Sequence, residues 1–306
     1  MIQTKTWGAA AACAILLVSV APAKALRVAI PNRTPAQQAM TAEVIVVGKV
    51  VEIEKELTKA TSHPSVKEKI DYHVGVVKIS ESIQGAKGLT TIRVGWQPTP
   101  RLGGPGGNLE PAIQPAIQPI RRPPFQQPQA SLTEGQEGCF FLTKHHDGDF
   151  YVLQQFGSPL DKKSADFDKQ LSSVKKLLKT YEDPKSALKA KDAADRQFAA
   201  IMLVQKYRTY PQVNTPNVKV AQEGIDAEES KLILQTLSEM EWNKVDANGM
   251  SLQNVWYQIG VQPKDGWVQP KFVQGQDFNK IMGEAVAKWL KENAEKYRVQ
   301  RYSASK

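Results

Sequence analysis

The chain has 306 residues, 41% of them hydrophobic and 23% charged, with a formal net charge of +9. That balance belongs to a globular protein and excludes a disordered or membrane-embedded chain. Lysine and arginine are dispersed among aspartate and glutamate, so the surface is mildly basic and solvated, with no patch of the kind that binds nucleic acid.

Residues 1–25 read as a leader. Lys5 makes a positive start, residues 7–20 are apolar, and Ala21-Pro22-Ala23-Lys24-Ala25 ends in the small-x-small pattern of a cleavage site. The apolar run is too short to cross a hydrocarbon core, which takes roughly 20 residues. Nothing later in the chain reaches that length, so no membrane span is expected. The expectation is a signal peptide cleaved after Ala25 and a secreted or periplasmic product. Cys13 lies in the middle of the apolar run, where a lipid-anchoring cysteine does not belong. Cys139 is then alone and has no internal disulfide partner, which suits a bacterial exported protein. Within Gly138-Cys139-Phe140-Phe141-Leu142 it reads as a buried, inert thiol.

In chain order, Thr34-Pro35-Ala36-Gln37 predicts a short capped helix, with Thr as N-cap and Gln three residues on. Residues 43–56 read as a long strand, rich in β-branched residues and apolar on both faces at its start. Gly48 inside it predicts a bend or bulge. Strands follow at 71–83, 90–96, 137–144 and 150–155, the last two joined by a turn at Asp147-Gly148 in which Gly148 takes a positive φ.

Five strands with a long bent first one predict a small closed barrel of the OB type. Ala42-Glu43-Val44-Ile45-Val46-Val47-Gly48-Lys49-Val50 resembles the opening strand of bacterial TIMP-like or netrin-like OB domains. Gly135-Gln136-Glu137-Gly138-Cys139-Phe140-Phe141-Leu142, with Asp147-Gly148-Asp149-Phe150-Tyr151-Val152-Leu153, resembles their closing hairpin. The resemblance covers residues 34–160 and implies a fold. Its inhibitory members hold a protease zinc through an N-terminal cysteine, whereas the cleaved product here would begin at Leu26, so inhibition is not implied.

Between the third and fourth of these strands, residues 97–130 carry Gly103-Gly104-Pro105-Gly106-Gly107 and the repeat Pro111-Ala112-Ile113-Gln114-Pro115-Ala116-Ile117-Gln118-Pro119. Proline at this spacing forbids helix and inner strand, so an extended or solvated insertion is expected. The alternative to a plain solvated insertion is a docking segment for a protein or envelope-polymer partner, with Arg121-Arg122-Pro123-Pro124 as its contact.

From residue 164 the apolar period becomes helical. Phe167, Leu171, Val174, Leu177 and Leu178 mark one helix, closed by Pro184, and further helices are predicted over 192–207, 226–242 and 277–298. Trp242, Trp256, Trp267 and Trp289 read as core rather than as sugar platforms. A faint likeness to HEAT repeats lies around Arg196-Gln197-Phe198-Ala199-Ala200, without a repeat period. The expected fold class is α+β in two domains: an OB-like barrel over 26–160 and an all-α helical domain over 161–306.

No nucleophile elbow, zincin helix, phosphate loop or dinucleotide fingerprint occurs. The nearest thing to a metal site is His145, His146, Asp147 and Asp149, whose side chains at a hairpin tip should point apart. The expectation is therefore a binding or interaction protein with no catalytic residue, cofactor or metal. Two alternatives are an envelope hydrolase with its site at this hairpin and a purely structural envelope protein.

Overall fold

The computed structural model describes residues 33–97, 131–153, 157–210, 219–242 and 252–305. The expected leader and the proline-rich segment beyond Gln97 lie outside the described residues. Helix α1 (Pro35–Ala39) has the expected reciprocal cap: Thr34 Oγ1 accepts from the Gln37 amide at 3.3 Å and Gln37 Oε1 from the Thr34 amide at 3.0 Å.

Seven strands follow: β1 (Val44–Ile53), β2 (Thr58–Thr61), β3 (Lys69–Gln84), β4 (Thr91–Trp96), β5 (Glu137–Lys144), β6 (Tyr151–Leu153) and β7 (Leu160–Asp161). Five of them close a ring. β1 pairs antiparallel with β3, β3 with β4, β4 parallel with β6, β6 antiparallel with β5, and β5 returns to β1. β2 and β7 are added outside, on β3 and β5. The expected barrel in an α+β protein is present.

The apolar double face of β1 follows from a period of two on a strand buried on both sides. Val44, Val46 and Val50 point into the barrel with Val77, Val94, Phe140 and Leu142, while Ile45 and Val47 join Cys139 and Phe141 in a second cluster with the helices. Cys139 is fully buried, and burial pushes its thiol up to about 12. The pairing register of β1 with β3 shifts between Val47 and Gly48. A Cβ on Gly48 would stand 2.5 Å from the Lys78 carbonyl oxygen, so only glycine lets the two strands approach there.

The helical part contains α2 (Phe167–Glu182), α3 (Pro184–Leu188), α4 (Ala193–Arg208), β8 (Lys219–Gly224), α5 (Ala227–Ser238), α6 (Leu252–Ile259), α7 (Phe278–Asn293) and β9 (Gln300–Ser305). Asp192, Asp226 and Asp277 cap α4, α5 and α7 through backbone amides three residues on, at 3.0–3.1 Å. α4 is buried on every side from Phe198 to Gln205, because α2, α3, α5, α6 and β9 all pack on it. The described residues fall in one compact unit, 32–306, and the larger apolar cluster runs from the outer face of β1 and β5 into these helices.

Several local expectations are corrected. The part after residue 160 is not all-α: β8 and β9 pair antiparallel from Lys219↔Ser305 to Gly224↔Gln300. β8 is almost wholly exposed, so it lacks the apolar alternation that betrays a strand. The helix expected over 226–242 stops at Ser238, and Trp242 instead donates its indole N–H to the Leu237 carbonyl at 3.0 Å. The helix expected over 277–298 stops at Asn293, since the chain must turn to feed β9. Ser230 Oγ holds that turn, accepting from the Val299 amide at 2.9 Å and donating to the Tyr297 carbonyl at 3.2 Å. The buried face of α7 is Val286, Trp289 and Leu290, with Ile281 and Ala285 only partly covered.

The tryptophans form core, as expected. Trp256 lies at the centre, with Trp242, Trp267 and Trp289 at 6.4, 4.7 and 5.4 Å between ring centroids. The hollow between α6 and α7 beside them holds about 20 Å³, room for one water. Among the described residues, no helix is long and apolar enough to cross a membrane.

Candidate functional site

The turn joining β5 to β6 carries His145, His146, Asp147 and Asp149; contrary to the expectation that these side chains point apart, the two histidine rings stack and His146 and Asp147 meet at Thr61. The His145 amide donates to the Phe150 carbonyl at 3.0 Å, closing the loop. Its ring is 7% exposed, stacked on Phe150 at 4.6 Å and on His146 at 4.4 Å, with Tyr72 of β3 edge-on at 5.2 Å. Nδ1 accepts two backbone donors, the amides of Asp147 at 3.1 Å and Gly148 at 2.9 Å. An acceptor Nδ1 assigns the proton to Nε2, which is buried beside the Thr61 backbone. Burial first, and the charge of His146 second, hold the His145 pKa below the ordinary histidine value.

His146 and Asp147 turn toward β2. Asp147 Oδ2 accepts from the Thr61 amide at 3.0 Å and lies 3.9 Å from Lys69 Nζ. The Thr61 bond lowers the Asp147 pKa most, and Lys69 adds to it. His146 Nε2 meets Thr61 Oγ1 at 2.8 Å. Asp149 contributes its backbone: its carbonyl accepts from Arg93 Nη1 at 3.1 Å. Arg93 in turn grips both carboxylate oxygens of Glu54, at 2.7 and 2.8 Å, which lowers the Glu54 pKa. The turn is thus tied to β2 by two side chains and to β4 by one carbonyl.

Gly148 departs from its expected role. It does not take a positive φ; it is needed because a Cβ there would lie 2.2 Å from the Phe150 ring. No local signal pointed to Thr61, which lies 85 residues from its partner His146 in an element with no apolar signature. Among the described residues, no three His, Cys, Asp or Glu side chains are grouped to hold a metal ion.

A further constellation lies on the barrel wall, where β1 is flanked by β3 and β5. Lys49 is the direct cross-strand partner of Lys78 on β3 and of Glu137 on β5. Glu137 offers one oxygen to Lys49 at 3.2 Å and the other to Lys162 at 3.0 Å, and the two lysines hold its pKa down. Sequence reading missed this set because its members come from four separate places in the chain.

No protein-family profile matches this chain, and no curated protein is similar to it in sequence.

Proposed function

We propose that this is an exported, non-catalytic binding module: a leader removed after Ala25, an OB-type barrel over 26–160, and a helical domain over 161–306. The observation that carries the reading is the state of the β5–β6 turn. The groups that acid–base or metal chemistry would need there, His145 Nδ1 and the Asp147 carboxylate, are committed to backbone amides of the fold. The OB-type assignment is supported by the five-strand ring with its single parallel pair, β4 with β6. The partner is a protein or an envelope polymer, engaged through residues 97–130.

Amino-terminal sequencing of the product recovered from the envelope or medium should begin at Leu26. Metal analysis of the purified protein should find no stoichiometric metal, and stoichiometric zinc lost in a His145→Ala/His146→Ala double variant would overturn the reading. Pull-downs with and without 97–130 test the docking segment: binding left intact by the deletion removes that role.

One contact favours a second reading, a hydrolase. Thr61 Oγ1 and His146 Nε2 are within hydrogen-bond reach, as a nucleophile and its base would be. Hydrolysis of ester or peptide probes that is abolished by Thr61→Val and by His146→Ala would establish it.

A further inference from the structure

A cleft of about 270 Å³ opens on the barrel wall, and Gly48, Ser80, Lys49, Lys78, Glu137 and Lys162 are among its walls. It lies at the register shift of β1, where Gly48 lets the Lys78 backbone approach closely. Ser80 Oγ is occupied there, donating to the Val47 carbonyl at 3.0 Å.

The charges around this cleft do not balance. Three lysines and one glutamate line it, and the Glu137 carboxylate is shared between Lys49 and Lys162. Lys78 has no ionic partner among the described residues. The nearby Lys175 and Glu81 neutralise each other at 2.7 Å. Lys49 and Lys78 are also direct cross-strand partners. Opposed residues on antiparallel strands project from one face, and like charges so placed are destabilising. A row reading Lys78, Lys49, Glu137 across three strands therefore keeps a repulsion that folding alone does not call for.

We propose that this cleft binds a phosphate dianion, either free or as a small monoester. Its surplus charge of two matches a dianion. Lysine ammonium groups act as point charges suited to a tetrahedral oxyanion, and the walls contain no arginine fork for a planar carboxylate. They contain no aromatic ring either, so there is no platform for stacking a base or a sugar. The volume lies just under the range of roughly 300–1,000 Å³ typical of pockets for drug-sized ligands, so the ligand is small.

This inference shares with the proposed function the premise that the chain binds without transforming its ligand, but it does not depend on export or on residues 97–130. The test is an NMR titration of the whole chain with inorganic phosphate and, separately, glycerol phosphate, in roughly 10 mM salt where screening is weak. Saturating shifts should occur at the amides of Gly48, Lys78 and Glu137. Lys78→Gln should weaken binding about tenfold, the size of one charged hydrogen bond. Glu137→Gln should tighten it, because removing the carboxylate releases Lys49 and Lys162 to the ligand. Lys288→Gln, an equal charge change on α7, should leave it unaltered. Binding of both probes assigns the monoester, and binding of inorganic phosphate alone assigns the free ion. The inference fails if neither probe saturates these amides, if Lys288→Gln weakens binding as much as Lys78→Gln, or if Glu137→Gln weakens it. None of those failures bears on leader cleavage, metal content or docking through residues 97–130.

Discussion

In the turn after β5, His145, His146 and Asp147 each have a hydrogen-bond partner supplied by the fold, whereas beside Gly48 two lysines share a single carboxylate and a third has no ionic partner among the described residues. The turn has the composition of a reactive site, with two histidines and two aspartates in five residues, yet it acts as a clasp. The cleft lysines resemble ordinary surface charge, yet they hold charge that the fold leaves uncompensated. The density of titratable residues in a sequence is thus a poor guide to free chemistry. What matters is how many of their polar atoms the backbone has already taken.

This contrast can be broken in order of expected effect. His145→Ala removes a buried ring and leaves the amides of Asp147 and Gly148 without their acceptor. It should cost about 3 kcal/mol, read from the urea midpoint, and a cost near zero would mean the turn is not a clasp. Gly48→Ala should cost about 2 kcal/mol, since its Cβ would meet a backbone carbonyl that cannot swing away.

Acidification should weaken the turn next. In the unfolded chain His145 takes up a proton near 6.5, whereas in the fold it does so only at lower pH. The unfolded state therefore binds more protons in that interval. The histidine's contribution is complete above pH 6.5 and is lost as the pH falls through the folded value. Urea midpoints taken from pH 8 to pH 5 should fall on the acid side, and the fall should be smaller in His145→Ala. A slope unchanged in that variant would assign it elsewhere. The smallest effect on stability belongs to the lysine cleft. Lys162→Ala breaks a solvent-exposed ion pair and should leave the urea midpoint unchanged, in keeping with a group that the fold does not depend on.

Much of the architecture was legible wherever a short stretch of chain carries its own instruction. The Thr34–Gln37 cap, the starts of α4, α5 and α7 next to residues 192, 226 and 277, and the two-sided apolar run of β1 all depend on neighbours within a few residues. The β8–β9 pair was not legible, because it joins two polar segments from distant parts of the chain and is held by backbone bonds that any side chain permits. The expected span of α7 was too long for the same reason, since its end is set by the need to deliver Val299 to Ser230. At the site, the sequence located the His145–Asp149 turn but could not supply Thr61 or Arg93, its partners on other strands.

By itself, then, the sequence determined the elements that carry an apolar pattern: where the period is two, where it is three or four, and which residues interrupt them. It also placed Cys139 in a buried strand. Only the tertiary structure decided which polar groups are spent and which are left over. It brings Thr61 to Asp147 and His146, and it sets Lys78 against Lys49 in the register that β1 takes up at Gly48. The physical reason is that hydrophobic periodicity is a local property of the chain, whereas the satisfaction of a charge or a hydrogen bond depends on whichever distant strand the fold lays beside it.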